Sequence, residues 1–219
     1  MSSEFYERYW QRPRDAIPER GLLIEQRKKL LKAALANLPS GSPILDAGCG
    51  TGEFSLFISS LGFTPIGVDI SATAVAQARL RCPGTRFEVA SPETRLPFID
   101  EEFAAVWCSE VLEHLFDVHA ALAELNRVLR PGGILVLTTP YHGLFKNIAI
   151  GILSFERHYN PYLSHIRFFS RPSLAMCLER AGFATIQWQG IGRHWPVWKS
   201  QFVVSRKVSP PRPAPDIVG

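Results

Sequence analysis

Residues 44–55 read ILDAGCGTGEFS: a short apolar run ends in an acid, Asp46, and three glycines, Gly48, Gly50 and Gly52, follow within five positions. Glycine accepts the positive φ angles of a sharp turn and lets a ligand approach the backbone closely. A helix starting behind such a turn offers free N–H groups and the positive end of its dipole to an anion. The stretch therefore predicts a strand, a ligand cradle over Gly48–Gly52, and a helix. A tight turn without a ligand is the competing reading, but one turn rarely needs three glycines beside an acid. The G-x-G-x-G spacing differs from the dinucleotide fingerprint G-x-G-x-x-G, and Asp46 stands where a diphosphate would be repelled. A ligand carrying positive charge suits this loop better.

Outward from the loop, short apolar runs alternate with helical patterns. Ile44–Ala47, Pro65–Val68, Arg86–Val89, Ala104–Cys108 and Ile134–Thr138 read as strands, and Glu53–Leu61, Ala72–Arg81 and Ala120–Leu129 as helices. After a break, Pro172–Ala181 reads as a helix, followed by strands near Ala184–Gln189 and Gln201–Ser205. This order predicts an α/β fold, a doubly wound, mainly parallel seven-stranded sheet with helices on both faces, whose ligands sit beyond the carboxyl ends of the strands. Upstream, Leu23, Leu30, Leu31, Ala34, Leu35 and Leu38 recur at helical spacing, with Arg27, Lys28, Lys29 and Lys32 on the opposite side. The expected organisation is a helical extension over 1–42, the main domain over 43–207 with an insertion at about 141–170, and a disordered proline-rich tail over 208–219.

Composition narrows the partners. Of 219 residues, 46% are hydrophobic, enough for one sizeable core, and the net charge of +4 comes from dispersed basic residues that form no nucleic-acid-binding stripe. The four cysteines have no metal-site or redox-pair spacing, and neither a signal peptide nor a membrane span is evident. A cytoplasmic protein acting without nucleic acid is expected.

The second strand, PIGVD, ends in Asp69, about twenty residues past the loop, where an acid can accept hydrogen bonds from both ribose hydroxyls. The implied ligand is a nucleoside with a cationic arm, and S-adenosylmethionine meets both demands.

In order, ILDAGCGTGEFS, GVDIS, LPFIDEEFAAVWCSEVLEHL and LNRVLRPGGILVLTTP resemble the motifs of class I S-adenosylmethionine-dependent methyltransferases, covering about residues 42–140. The pattern is similar to the small-molecule branch that includes the ubiquinone- and menaquinone-pathway methylases, and HIRFFSRPSLAMCLERAGF, residues 165–183, is similar to the segment that follows there. The resemblance implies a Rossmann-like fold, the cofactor S-adenosylmethionine with product S-adenosylhomocysteine, and cofactor contacts at Asp46, Gly48, Gly50, Gly52 and Asp69, with Ile70 beside the adenine. Ser91 stands where relatives often carry an acid for the adenine amino group; it can accept a hydrogen bond but brings no charge.

Chemistry is expected just past the fourth strand. His114, in CSEVLEHL, lies where family members place residues beside the transferring methyl, and histidine suits proton removal near neutral pH. A packing histidine is the competing reading. His142, after the fifth strand, is the reserve base. Glu110, Glu113 and His114 form E-x-x-E-H, which resembles a divalent-metal site in some ubiquinone-pathway O-methyltransferases; on a helix Glu110 would share a face with Glu113 or His114. The pattern also serves helix starts, and no metal is assigned.

The insertion mixes Phe145, Phe155, Tyr159, Tyr162, Phe168 and Phe169 with His142, His158 and His165. It reads first as an aromatic substrate cover and next as a packed surface helix; a membrane-resting helix around 143–155 is the third reading, and membrane contact is not expected. Trp195 and Trp198 read as core or as an extension of the same pocket, and they are not counted among the site residues. The expected function is methyl transfer to a small-molecule acceptor, phenolic or quinol-like, most simply at a hydroxyl oxygen. The alternatives are transfer to nitrogen or carbon, a non-catalytic cofactor-binding interaction protein, or an oxidoreductase on a similar sheet.

Overall fold

The computed structural model describes residues 3–11, 21–160 and 162–213. Along the chain, helices α1 (Ser3–Trp10) and α2 (Leu22–Leu35) precede strand β1 (Pro43–Ala47). Then follow α3 (Glu53–Ser60), β2 (Thr64–Asp69), α4 (Ala72–Arg81), β3 (Arg86–Val89) and β4 (Phe103–Ser109). A 3₁₀ turn at Leu112–His114 leads to α5 (Val118–Val128) and β5 (Leu129–Pro140). The chain continues with α6 (Leu144–Leu153), α7 (Phe155–His158), α8 (Arg171–Arg180), β6 (Phe183–Ile191) and β7 (Ser200–Lys207).

The seven strands lie in the order β3-β2-β1-β4-β5-β7-β6. β1 pairs in parallel with both β2 and β4, and only β7, wedged between β5 and β6, runs antiparallel to its neighbours. The chain winds outward from β1 to β3, then returns to β4 on the other side of β1. That reversal opens a crevice at the carboxyl ends of β1 and β4.

A sheet covered on both faces needs strands apolar on both sides. In β4, Val106 and Cys108 face a core shared with Leu122 and Leu125 of α5 and Leu174 and Leu178 of α8. Ala105 and Trp107 face the opposite core, with Leu31 and Leu35 of α2 and Ile58 of α3. Each fully buried side chain of this size contributes about 1.5–3 kcal/mol, so this double-sided burial is what holds the crevice rigid.

Three local features differ from expectation. Arg27 does not join Lys29 and Lys32 on the solvent side of α2: it is buried in line with Leu23, Leu31 and Leu35, one turn from each neighbour. The insertion contains two helices, α6 and α7. The tail is held at its start, where Val208 and Ser209 donate to Gly182 O and Asn126 Nδ2 donates to Ser209 O; residues 214–219 lie outside those described.

Candidate active site

The floor of the crevice is acidic. The last but one residue of β1 is Asp46, which is buried and accepts from Ser55 Oγ at 2.6 Å. β2 ends at Asp69, whose Oδ2 accepts from Gly50 N at 2.9 Å and whose Oδ1 accepts from Ser71 N at 2.9 Å. A carboxylate has about four acceptor positions, so each oxygen of Asp69 keeps room for a ligand donor. Burial pushes the Asp46 carboxyl up to about 7, against the Ser55 hydrogen bond, and raises Asp69 as well. Two buried acids facing one cavity favour a ligand that carries positive charge.

The glycine loop takes the predicted form. Gly48 and Cys49 both donate to Val68 O, at 2.8 and 2.9 Å, which ties the loop to β2. Gly48 and Gly50 have φ of 81° and 50°, and a side chain at Gly48 would collide with Val111, one at Gly50 with the Trp10 ring at 2.8 Å. Gly52 is different: it does not line the cavity, but caps α3 and lies 3.1 Å, measured from an added Cβ, from Ala78 of α4. Close helix packing, rather than ligand contact, requires that glycine.

Above the loop the cavity reaches about 1200 Å³, larger than the roughly 300–1,000 Å³ common for one small ligand. Ile70 and Ser91 line one wall, as expected. Ser91 Oγ accepts from Glu93 N at 3.3 Å; Glu93 also lines the wall, and its Oε1 accepts from Phe116 N and Asp117 N.

Sequence reasoning missed the roof. α1 places Phe5, Tyr6, Tyr9 and Trp10 on the cavity. It is hooked to α4, because the Glu7 carboxylate accepts from Ala72 N at 2.6 Å and Thr73 N at 3.0 Å, and Gln77 Nε2 donates to Trp10 O at 3.1 Å. The signal was the spacing of aromatics in EFYERYW, four residues apart in two pairs, with Glu7 between them.

The far end holds the candidate base. His114 Nδ1 lies 2.9 Å from Ser164 O. A carbonyl only accepts, so Nδ1 carries the proton and Nε2 keeps its lone pair. Burial pulls His114 down to about 4, so the ring is neutral at neutral pH. Beside it, Glu113 is buried: Oε2 accepts from Thr139 Oγ1 at 3.1 Å, and Oε1 has no hydrogen-bond partner among the described residues. Burial, with Glu110 nearby, raises the Glu113 carboxyl well above its ordinary range. The Tyr6 ring packs edge-on to His114 at 5.9 Å, and its buried hydroxyl also lacks a partner among the described residues.

The E-x-x-E-H residues do not share a helix face. Glu110, with φ of 54°, precedes the 3₁₀ turn and points to Arg27 Nη2 at 2.9 Å and Ser200 Oγ at 2.6 Å. His165 takes its place: one ligand atom each from Glu113, His114 and His165 lie within 4.8 Å of one another, a set able to hold a divalent ion.

His142, the reserve base, is not brought to the cavity. It is buried beneath Phe168 with Nδ1 3.1 Å from Asn147 Oδ1, and it reads as a packing residue of the insertion. Trp198 packs between Tyr141 and Trp188, whereas Trp195 is exposed. Among the described residues no helix is long and apolar enough to cross a membrane.

Comparison with known proteins agrees with this geometry. A family described as a methyltransferase domain matches residues 19–187. The chain is 35% identical over 132 residues to the ubiquinone biosynthesis O-methyltransferase of Rhodopseudomonas palustris, covering 59% of this chain and 52% of that protein. It is 33% identical over 181 residues to the demethylmenaquinone methyltransferase of Mycolicibacterium paratuberculosis, covering 75% and 76%. The chain spans 52–58% of the length of four curated relatives that it matches, the Rhodopseudomonas palustris protein among them. In fold, it matches a solved protein of Pyrococcus horikoshii with a TM-score of 0.70 at 18% identity, covering 91% of this chain and 98% of that one.

Proposed function

Because this chain belongs to the class I S-adenosylmethionine-dependent methyltransferase family, we propose that it transfers a methyl group from S-adenosylmethionine to a hydroxyl oxygen of a small-molecule acceptor. The observation that carries this reading is the pair of buried acids, Asp46 and Asp69, at the foot of a glycine loop facing a cavity of about 1200 Å³. A nucleoside with a cationic arm matches that charge pattern; a dinucleotide diphosphate does not.

Bound S-adenosylmethionine supplies an activated methyl group on a sulfonium leaving group. Asp69 would accept from the ribose hydroxyls, Ile70 and Ser91 would flank the adenine, and the loop at Gly48 and Gly50 would let the amino-acid arm approach the backbone. The α1 roof would exclude water. Much of the rate would come from holding the acceptor oxygen in line with the methyl carbon. His114 Nε2 would take the hydroxyl proton as the new oxygen–carbon bond forms, leaving S-adenosylhomocysteine as the other product. Tyr6 and Glu113, which line the cavity beside His114, would orient the acceptor hydroxyl.

Support for a phenolic or quinol-like acceptor comes from the kinship with the ubiquinone-biosynthesis O-methyltransferase and from the aromatic lining at Tyr6, Tyr9 and Tyr162. The test is S-adenosylhomocysteine formation by the purified protein over a panel of phenols, quinols, sugars and amines, with magnesium and with chelator in parallel. Turnover confined to amines or carbon acids would refute the oxygen assignment. Turnover lost with chelator would bring the Glu113, His114 and His165 cluster into the mechanism. Tight cofactor binding without turnover on any acceptor would favour an interaction protein.

A further inference from the structure

α6 follows directly on the carboxyl end of β5, and its Lys146, with His158 of α7 and Tyr162, borders the cavity. Most of the helix is not packed against other described residues. Leu144, Phe145, Ile148 and Ile152 have half or more of their surface in solvent, and Phe155 and Trp195 are equally open. At 3.6 residues per turn, positions 144, 145, 148 and 152 fall within a stripe of about 100°, the width that normally faces a core. Trp195 continues the patch, its ring centroid 6.1 Å from that of Phe145. A contiguous apolar surface of this kind marks a contact with something outside the chain.

The surrounding charge says what that contact is. Residues 141–200 hold seven Lys and Arg against two Asp and Glu, where the whole chain holds 24 against 20, so this segment carries the protein's positive excess. Arg157 follows Phe155 by two residues and Arg193 precedes Trp195 by two, and both, with Lys199, are exposed. An apolar stripe on one helix, rimmed by basic side chains, is the pattern of a helix that lies in the headgroup region of an anionic bilayer. A protein partner would need matching acids at each of these positions; an anionic lipid surface satisfies them all without register.

We propose that the exposed face of α6, together with Phe155 and Trp195, docks the protein on an anionic lipid surface and turns the acceptor end of the cavity toward it. The consequence is access to acceptors that partition into the bilayer. The docking itself is independent of whether the protein turns over.

The experiment is co-sedimentation with phosphatidylcholine vesicles containing about 30% phosphatidylglycerol, and with phosphatidylcholine alone, at about physiological ionic strength. The wild type should partition onto the anionic vesicles at least about tenfold more strongly than onto the neutral ones. A Phe145→Ser, Ile148→Ser, Ile152→Ser variant should lose about tenfold or more of that partitioning while binding S-adenosylhomocysteine like the wild type. If that variant does not fold, Arg157→Glu with Arg193→Glu tests the electrostatic half, with a comparable loss expected. Wild type that ignores anionic vesicles, or variants that bind them undiminished, would overturn the proposal. So would a wild-type dimer in light scattering that the serine variant converts to a monomer, because the face would then belong to a second copy.

Discussion

The backbone N–H of Gly50 donates to Asp69 Oδ2 at 2.9 Å, joining the glycine loop after β1 to the acid that ends β2. Asp69 therefore shapes the loop and faces the cavity at once. Asp69→Asn keeps the size but leaves only one oxygen to serve Gly50, Ser71 and any ligand. Hydrogen bonds to a charged acceptor contribute about 1.5–3 kcal/mol, so cofactor affinity should fall about 10- to 100-fold. Isothermal titration with S-adenosylhomocysteine checks this, and an unchanged dissociation constant would remove Asp69 from the binding site.

Asp46 gives the cofactor site a pH dependence. Its carboxyl is pushed up to about 7 by burial, so the folded chain keeps a proton that the unfolded chain releases near 3.8. The stability this provides is complete below the ordinary carboxylate range and is lost as pH rises through about 7. A cationic ligand favours the ionised form, which gives the opposite trend in binding: affinity for S-adenosylmethionine should rise about tenfold from pH 6 to pH 8. Asp46→Asn should flatten both trends. Urea unfolding and titration calorimetry at the two pH values measure them, and identical slopes in wild type and variant would refute the assignment.

His114 should act as a base without titrating in the usual histidine range. Burial holds it near 4, so it becomes protonated only as pH falls toward that value. Between pH 5 and 8 the rate should show no inflection attributable to His114. His114→Ala should leave cofactor affinity intact and cut kcat about a hundredfold, within the usual range for a positioned base. Steady-state kinetics over that pH range provide the check; equal kcat in the two proteins would make His114 a packing residue.

The sheet and its loop were legible because strong periodicity and glycine chemistry act locally. ILDAGCGTGEFS needed no distant partner to declare a strand, a turn and a helix start. What stayed hidden depends on tertiary contacts. Arg27 looked like one more solvent-facing base until Glu110 came within 2.9 Å of it. Glu110 in turn left the face it would share with Glu113, because the backbone at φ of 54° precedes a 3₁₀ turn instead of a full helix. His142 had the right residue type at a strand end, yet Phe168 and Asn147 claim it. Gly52 shows the reverse case, a correctly recognised glycine whose reason is the neighbouring Ala78.

The roof provides a test of how the cavity closes. The first N–H groups of α4 have no partner within the helix, and Glu7 supplies one from α1, with Oε1 on Ala72 and Oε2 on Thr73. Hydrogen bonds from Thr73 hold the Glu7 carboxyl below its ordinary range, so the hook is present at neutral pH and is lost as pH falls through the lowered value. Glu7→Gln keeps one acceptor oxygen and gives up the charge opposite the helix dipole. Because Tyr6 and Trp10 sit on either side of Glu7 and cover the cavity, loosening the hook should speed cofactor release rather than unfold the sheet. S-adenosylhomocysteine should dissociate about 3- to 10-fold faster, read by tryptophan fluorescence in stopped flow, with the melting temperature nearly unchanged. Release at the wild-type rate would mean that α1 stays closed without Glu7, through its aromatic contacts and the Gln77 bond alone.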